Sequence, residues 1–383
     1  MTSWDELTGQ EEAIAVVEAA AADPDTLAHS WLITGPPGSG RSTLAYAFAA
    51  ELLAQGEPDG GEHARRLVAA RTHPDLSVLA TDRVVITMDE VRQLVAASQY
   101  SPSMGRWRIV IIEDADRMAE RTSNVLLKAL EEPPPRTVWI LCAPSEADLL
   151  PTIRSRVRTL RLRVPHVEDV ARLLVRRDGV DPELARRAAR EAQSHIGMAS
   201  RLASDPEARA RRDRTIELAL SVRDASSAVF VAAELLDIAK ADAESYGQQQ
   251  DEDERAALLR SLGVEPGGTV PPALRSAVKQ LEDDQKRRAT RSLRDGVDRV
   301  LVDLLSVWRD VLLARLGVPA ELVNAAVGDL IADVATHTPP ERAIAAIDAV
   351  SIARRRIESN VPPLLALEAM LMAFRTRADR LAT

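Results

Sequence analysis

Residues 35–43 read GPPGSGRST, with Gly35 and Gly40 separated by four residues and followed by Arg41 and Ser42. Glycines at this spacing let backbone N–H groups close on a phosphate, and a following helix points the positive end of its dipole at the same place. Gly35, Pro36, Pro37, Gly38, Ser39, Gly40, Arg41, Ser42 and Thr43 are therefore the candidate nucleotide-binding residues, with the Ser42 hydroxyl suited to Mg2+. Arg41 stands where such loops carry lysine. Lysine is a compact point charge and arginine a longer planar fork, so the exchange is not conservative. On its own the motif leaves two readings open, a nucleotide site or a helix cap whose pocket is degraded.

A second group of candidates follows the apolar run RIVIIE, residues 108–113, which continues into DADRM. Phosphate-loop ATPases end such a strand on an aspartate for Mg2+, in many followed by a glutamate that activates water. Here Glu113 and Asp114 stand in reversed order. With the register slipped by one, Asp114 meets the metal and Ala115 takes the base position. Either way the water-activating carboxylate is misplaced or shortened, and an acidic strand-end cap is the other reading. Arg156, in LPTIRSRV, stands at a loop–strand junction, where a surface salt bridge is the alternative to a functional role. In KRRATRSLR, Arg287, Arg291 and Arg294 share one helical face, which reads first as solvated rather than as a DNA or subunit contact.

These residues need a frame. Apolar runs at 29–34, 75–80, 108–113, 137–143 and 157–164 alternate with helical stretches such as MDEVRQLVAASQ and TSNVLLKALEE. Near-continuous apolar strands separated by helices predict a buried parallel sheet in an α/β P-loop domain. The prolines of EEPPPRT stop the second helix. Beyond residue 164 the strand signals end. Short helices are expected over 165–212, punctuated by Gly179 and Gly197, and an all-α region over 213–383. There DGVDRVLVDLLSVWRDVLLARLG has helical apolar spacing, whereas SYGQQQDEDER and GVEPGGTVPP predict a flexible segment near 245–272.

The 383 residues are 46% hydrophobic, 28% charged and only 3% aromatic, so the cores must be built from Ala, Leu, Val and Ile. A net charge of −9 argues against a protein that coats nucleic acid with its whole surface. Cys142 is the only cysteine, which excludes an intrachain disulfide and fits a reducing cytosol. His63 and His73, without cysteines, do not suggest zinc. MTSWDELTGQ is unlike a signal peptide and no apolar run reaches membrane-spanning length, so a cytoplasmic location is expected.

Taken together, LTGQEEAI (7–14), GPPGSGRS, THPD (72–75), IVIIEDADRM (109–118), NVLLKALEEPP (124–134) and LPTIRSRV (150–157) resemble the AAA+ clamp-loader family of bacterial DNA polymerase III. Val157 replaces that family's cysteine, and the helical remainder matches only in length and organisation. The resemblance implies an AAA+ domain over 1–164, a three-helix lid over 165–212 and a helical collar for oligomerisation over 213–383. It implies a hetero-oligomer with ATP-hydrolysing motor (gamma/tau) subunits and a delta subunit. Through that complex the chain would act on the sliding clamp and primed DNA, away from any membrane. It also implies that Arg156 is an arginine finger acting in trans.

Departures from the family's pattern point to a largely non-hydrolysing member. Ala143 or Pro144 takes the place of a polar nucleotide sensor. Ser200 stands where the lid of a motor subunit has arginine, with Arg201 one step late. AQGEPDGGEHARRLVAAR lacks the cysteines of the family's zinc module. The expectation is a degraded site for ATP or ADP, Mg2+ only with nucleotide, no zinc, and weak or absent ATPase activity. The alternatives are an active motor subunit and, more weakly, a small-molecule phosphotransferase, which leaves the helical half unexplained.

Overall fold

The computed structural model describes residues 4, 7–23, 27–57, 60–80, 85–261 and 275–374, with side chains omitted over 245–291. Two compact units divide the chain, Met1–Ser204 and Asp205–Thr383.

In the first unit, helix α1 (Glu11–Ala22) precedes β1 (Ser30–Thr34), α2 (Arg41–Leu53), α3 (Glu62–Ala69), β2 (Leu76–Leu79) and α4 (Met88–Ser98). There follow β3 (Arg108–Ile112), α5 (Glu120–Glu131), β4 (Thr137–Ala143), the short α6 (Pro151–Arg154) and β5 (Arg158–Arg161). All five strands are parallel, in the order β2-β3-β4-β1-β5. Each overlaps a predicted apolar run. Every residue of β1, β3 and β4 is buried, because helices cover both faces of the sheet. Strand alternation sorts the core. Trp31 and Ile33 pack with Phe48 and Leu44 on one side, while Leu32 faces Val110, Trp139 and Leu126 on the other. Trp31 meets Phe48 edge-on at 5.2 Å. Three helices complete the unit, α7 (Val167–Asp178), α8 (Pro182–Glu191) and α9 (Ile196–Ser204).

Asp75, at the entry to β2, is fully buried and holds the loop after α4. It accepts hydrogen bonds from Ser103 N (2.6 Å), Ser103 Oγ (2.8 Å), Met104 N (2.8 Å) and Gly105 N (3.1 Å), with Arg108 Nη2 at 3.3 Å. Burial pushes the pKa of Asp75 up, but the amides of Met104, Ser103 and Gly105 together outweigh it and hold the carboxyl below its usual range. A carboxyl depressed in the folded state adds stability above its unfolded pKa, and that stability is lost as pH falls through the folded value. Asp75→Asn is expected to cost about 1–3 kcal/mol at pH 7 and to lose its effect at pH well below about 4. Urea titrations of both proteins at neutral and acid pH check this.

The second unit contains α10 (Pro206–Ser221), α11 (Ala225–Ser261), α12 (Arg275–Leu316), α13 (Gly328–His337), α14 (Pro340–Glu358) and α15 (Pro363–Phe374). The expected boundary near residue 212 thus falls inside α10. SYGQQQDEDER, expected to be flexible, has helical backbone within α11. The Gln, Glu and Arg of this stretch favour a helix, so polarity there did not mark a break in the backbone. GVEPGGTVPP lies outside the described residues. Trp308 and Phe374 meet edge-on at 5.0 Å within a core that includes Leu235, Leu301, Leu304 and Val350. Gly296 lets α11 and α12 approach closely, since a Cβ there would lie 2.6 Å from the Ala239 carbonyl oxygen.

That core also encloses polar groups. Arg212 of α10 donates from Nε to Asp303 Oδ1 (3.0 Å) and from Nη2 to Asn324 Oδ1 (2.6 Å). Asn324 Nδ2 in turn donates to Asp310 Oδ2 (2.9 Å) and Ser306 Oγ (3.0 Å). Asp303, Ser306 and Asp310 share one side of α12, a polar line inside an otherwise apolar face.

Candidate functional site

The carboxyl ends of β1, β3 and β4 bring the candidate residues together. Residues 35–40 leave β1 and turn into α2. The loop is fixed by Gly35 N donating to Pro144 O (3.2 Å) and Ser39 N to Pro36 O (3.1 Å). Gly38 and Gly40 have φ of +78° and +93°, where a side chain would be strained. No side chain caps α2, so the first-turn amides of Arg41, Ser42 and Thr43 keep the orientation in which a helix end holds an anion. Gln10 secures the loop from outside. Its Nε2 donates to Arg163 O (2.7 Å) and reaches Ser39 O (3.5 Å), while its Oε1 accepts from Arg163 N (3.1 Å).

The side chains around the loop turn inward on one another. Arg41 Nη1 donates to the carbonyl of Gly35, within its own loop. Ser42 Oγ donates to Glu113 Oε2 (2.7 Å), and Tyr46 OH donates to Glu113 Oε1 (2.6 Å). Arg71 Nη1 lies 3.8 Å from that same Oε1, and its guanidinium sits 4.7 Å over the Tyr46 ring. Burial, followed by the bond to Glu113, pushes the Tyr46 pKa up, so its hydroxyl remains a donor.

This geometry decides the register. Glu113 N donates to Leu79 O at 2.9 Å and its side chain meets Ser42, so Glu113 holds the strand-end position without a slip. Asp114 has turned away at φ +52° and pairs with Arg117 Nε at 3.4 Å. Asp116 keeps a buried Oδ1 with no hydrogen-bond partner; burial, then the charge of Asp114, pushes its pKa up.

The two sensor positions are also accounted for. Ala143 is buried beside Thr34, and Pro144 supplies only a carbonyl to the loop. Ser200 donates to Asp178 Oδ2 (2.8 Å) and accepts from Arg177 Nη2 (2.9 Å), so its hydroxyl is used within the three helices. What the residue just before α9 brings to the loop is an imidazole. A Cβ on Gly38 would lie 2.3 Å from Cγ of His195. His195 Nδ1 accepts from Met198 N at 3.2 Å, which places the proton of the neutral ring on Nε2.

Arg156 stands apart from this cluster. Its Nε donates to Glu131 Oε1 at 2.6 Å, Nη2 closes on the same oxygen, and Nη1 donates to Thr152 O (2.7 Å) and Ser155 Oγ (3.1 Å). The side chain remains 31% exposed, so this is a surface ion pair. Of the other basic candidates, Arg294 bonds Asn360 Oδ1 at 2.6 Å, while Arg287 and Arg291 lie outside the described side chains. Among the described residues no group of three or more His, Cys, Asp or Glu side chains could hold a metal, and no helix is long and apolar enough to cross a membrane.

Tyr46, Arg71, Gln10 and His195 were not among the sequence candidates. Tyr46 follows Ser42 by four residues on α2, a spacing that places both on one face and was available beforehand.

The model of the family described as "DNA polymerase III, delta subunit" matches residues 9–166. The chain is 40% identical over 135 residues to the DNA polymerase III subunit delta' of Pseudomonas aeruginosa, covering 34% of this chain and 41% of that protein. To the delta' subunit of Haemophilus influenzae it is 37% identical over 145 residues, 37% of this chain and 44% of that one. It is also 30% identical over 179 residues to DNA polymerase III subunit gamma/tau of Mycobacterium tuberculosis, 45% of this chain and 31% of that protein. The chain thus spans less than half the length of these relatives.

Proposed function

We propose that this chain, whose residues 9–166 match the model of the DNA polymerase III delta-subunit family, is a delta-prime-type subunit of a bacterial clamp loader. In this reading it joins gamma/tau motor subunits and a delta subunit in a cytoplasmic hetero-oligomer that loads the sliding clamp onto primed DNA. Its own contribution is assembly and the presentation of Arg156 to a neighbour's nucleotide.

One observation carries the non-hydrolysing part of the reading. The carboxylate at the magnesium position, Glu113, has both oxygens engaged by Ser42 and Tyr46, with Arg71 beside them. The loop fits the phosphates of ATP or ADP through its glycines and the uncapped first turn of α2. Its surroundings do not fit Mg2+. Asp114 pairs with Arg117, and neither Ala143 nor Pro144 can donate to a phosphate from its side chain. Phosphoryl transfer depends on charge placed in advance at these positions.

The similarity to gamma/tau keeps the motor subunit as a second reading, and hydrolysis separates the two. The isolated protein is expected to turn over ATP at background level, with or without primed DNA, and Ser42→Ala is expected to change nothing. DNA-stimulated turnover abolished by Ser42→Ala would select the motor reading. Assembly is tested by size-exclusion chromatography of the full chain with motor and delta subunits. If those subunits form their complex and leave this chain behind, the clamp-loader reading is wrong.

A further inference from the structure

We propose that Tyr46 and Arg71 replace the metal, so that a nucleotide held by residues 35–43 is bound without Mg2+. The inference rests on the phosphate-loop reading above and concerns what neutralises the charge inside that site.

In a metal-bearing phosphate loop the cation offsets both the strand-end carboxylate and the phosphate oxygens. Here the carboxylate already has its partners. Tyr46 and Ser42 are one helical turn apart on α2, so their hydroxyls reach the two oxygens of Glu113 from one direction, at 2.6 and 2.7 Å. A hydroxyl bond such as that of Ser42 exchanges readily for a metal. The Tyr46 bond is different, because the ring that carries its hydroxyl lies under the Arg71 guanidinium. Arg71 brings a full positive charge to 3.8 Å from Oε1, and the Glu113 side chain is only 16% exposed. Mg2+ requires near-octahedral oxygen ligands at about 2.0–2.1 Å; taking Oε2 from Ser42, it would share a carboxylate whose Oε1 stays bonded to Tyr46 and whose charge is already offset by Arg71, and it would set a dication near that guanidinium. The extra methylene of glutamate over aspartate is what lets this carboxylate extend along α2 as far as Tyr46. The residue that departs from the family's aspartate and the residues that cap it are thus one arrangement.

Calorimetric titration of the full chain with ADP, in Mg2+ and in EDTA, tests this. The wild-type affinity is expected to agree between buffers within about twofold. Tyr46→Phe with Arg71→Ala opens Glu113, and this variant is expected to bind ADP at least about fivefold more tightly in Mg2+ than in EDTA. Tyr46→Phe alone, which keeps the ring and its packing, should show the same trend if the double variant is unstable. Wild-type binding about tenfold tighter with Mg2+ overturns the proposal. So does an opened site that gains nothing from the metal, or the absence of ADP binding by every variant in both buffers. Association with motor subunits, followed on the same preparations, tells a failure of this inference from a failure of the clamp-loader reading.

Discussion

Arg156→Ala is expected to enter the assembled complex normally and to lower its DNA-stimulated ATPase and its rate of clamp loading. A guanidinium offers phosphate oxygens a fixed fork of donors and stabilises charge that develops during transfer. Fingers of this kind supply roughly 10³–10⁵ in rate at the site they serve. The loss at the adjoining site should be of that order, whereas the whole complex, with several sites, loses only the dependent share. To act in trans, Arg156 would have to leave Glu131, Thr152 O and Ser155 Oγ, and the ion pair among these is weak. Glu131 is 46% exposed, and exposed ion pairs contribute only about 0–1 kcal/mol. Arg156→Lys should restore part of the activity, since a point charge cannot reproduce the fork. Steady-state hydrolysis and clamp loading by reconstituted complexes provide the measurement. An alanine variant that assembles and works at the unmodified rate would reduce Arg156 to its salt bridge with Glu131.

The second large effect is on stability. Arg212→Ala should destabilise the Asp205–Thr383 unit by about 3–5 kcal/mol, the usual consequence of removing one member of a buried ion pair. Arg212 and Asp303 are both buried, and the same guanidinium orients Asn324, whose amide serves Asp310 and Ser306. Arg212→Lys should recover little, because one ammonium cannot span Asp303 and Asn324 together. Urea unfolding of the full chain, read through the transition of this unit, checks the magnitude. A shift below about 1 kcal/mol would mean that solvent screens the pair despite its burial.

Most of the parallel sheet was legible because its strands are runs of Val, Ile, Leu and Trp bounded by polar turns, a signal that burial on both faces enforces. The phosphate loop and the acidic strand end were legible as types of residue. Their chemistry was not, because it depends on which atoms meet. The order of Glu113 and Asp114 was ambiguous until Ser42 was found against Glu113. Tyr46 could have been read from its helical spacing, but Arg71 and His195 come from connections distant in sequence and carry no local mark. At SYGQQQDEDER the polar composition suits a loop and a helix alike, and the backbone there is helical. The helical half showed its apolar periodicity plainly, while the meaning of Asp303, Ser306 and Asp310 within it required the arrival of Arg212.

The Gln10 clamp bears on the order in which the chain folds. A single amide near the N-terminus bonds the backbone of Arg163, 153 residues away, at the end of the last strand, and also reaches the phosphate loop at Ser39. Contacts of such long sequence separation carry a loop-closure cost that local helix pairing does not. During synthesis the loop at 35–43 emerges early, yet this restraint on it cannot form until β5 has been made and has taken its place beside β1. The phosphate cradle therefore reaches its final form only when the sheet is complete, and a nascent chain ending before residue 163 holds the motif without this anchor.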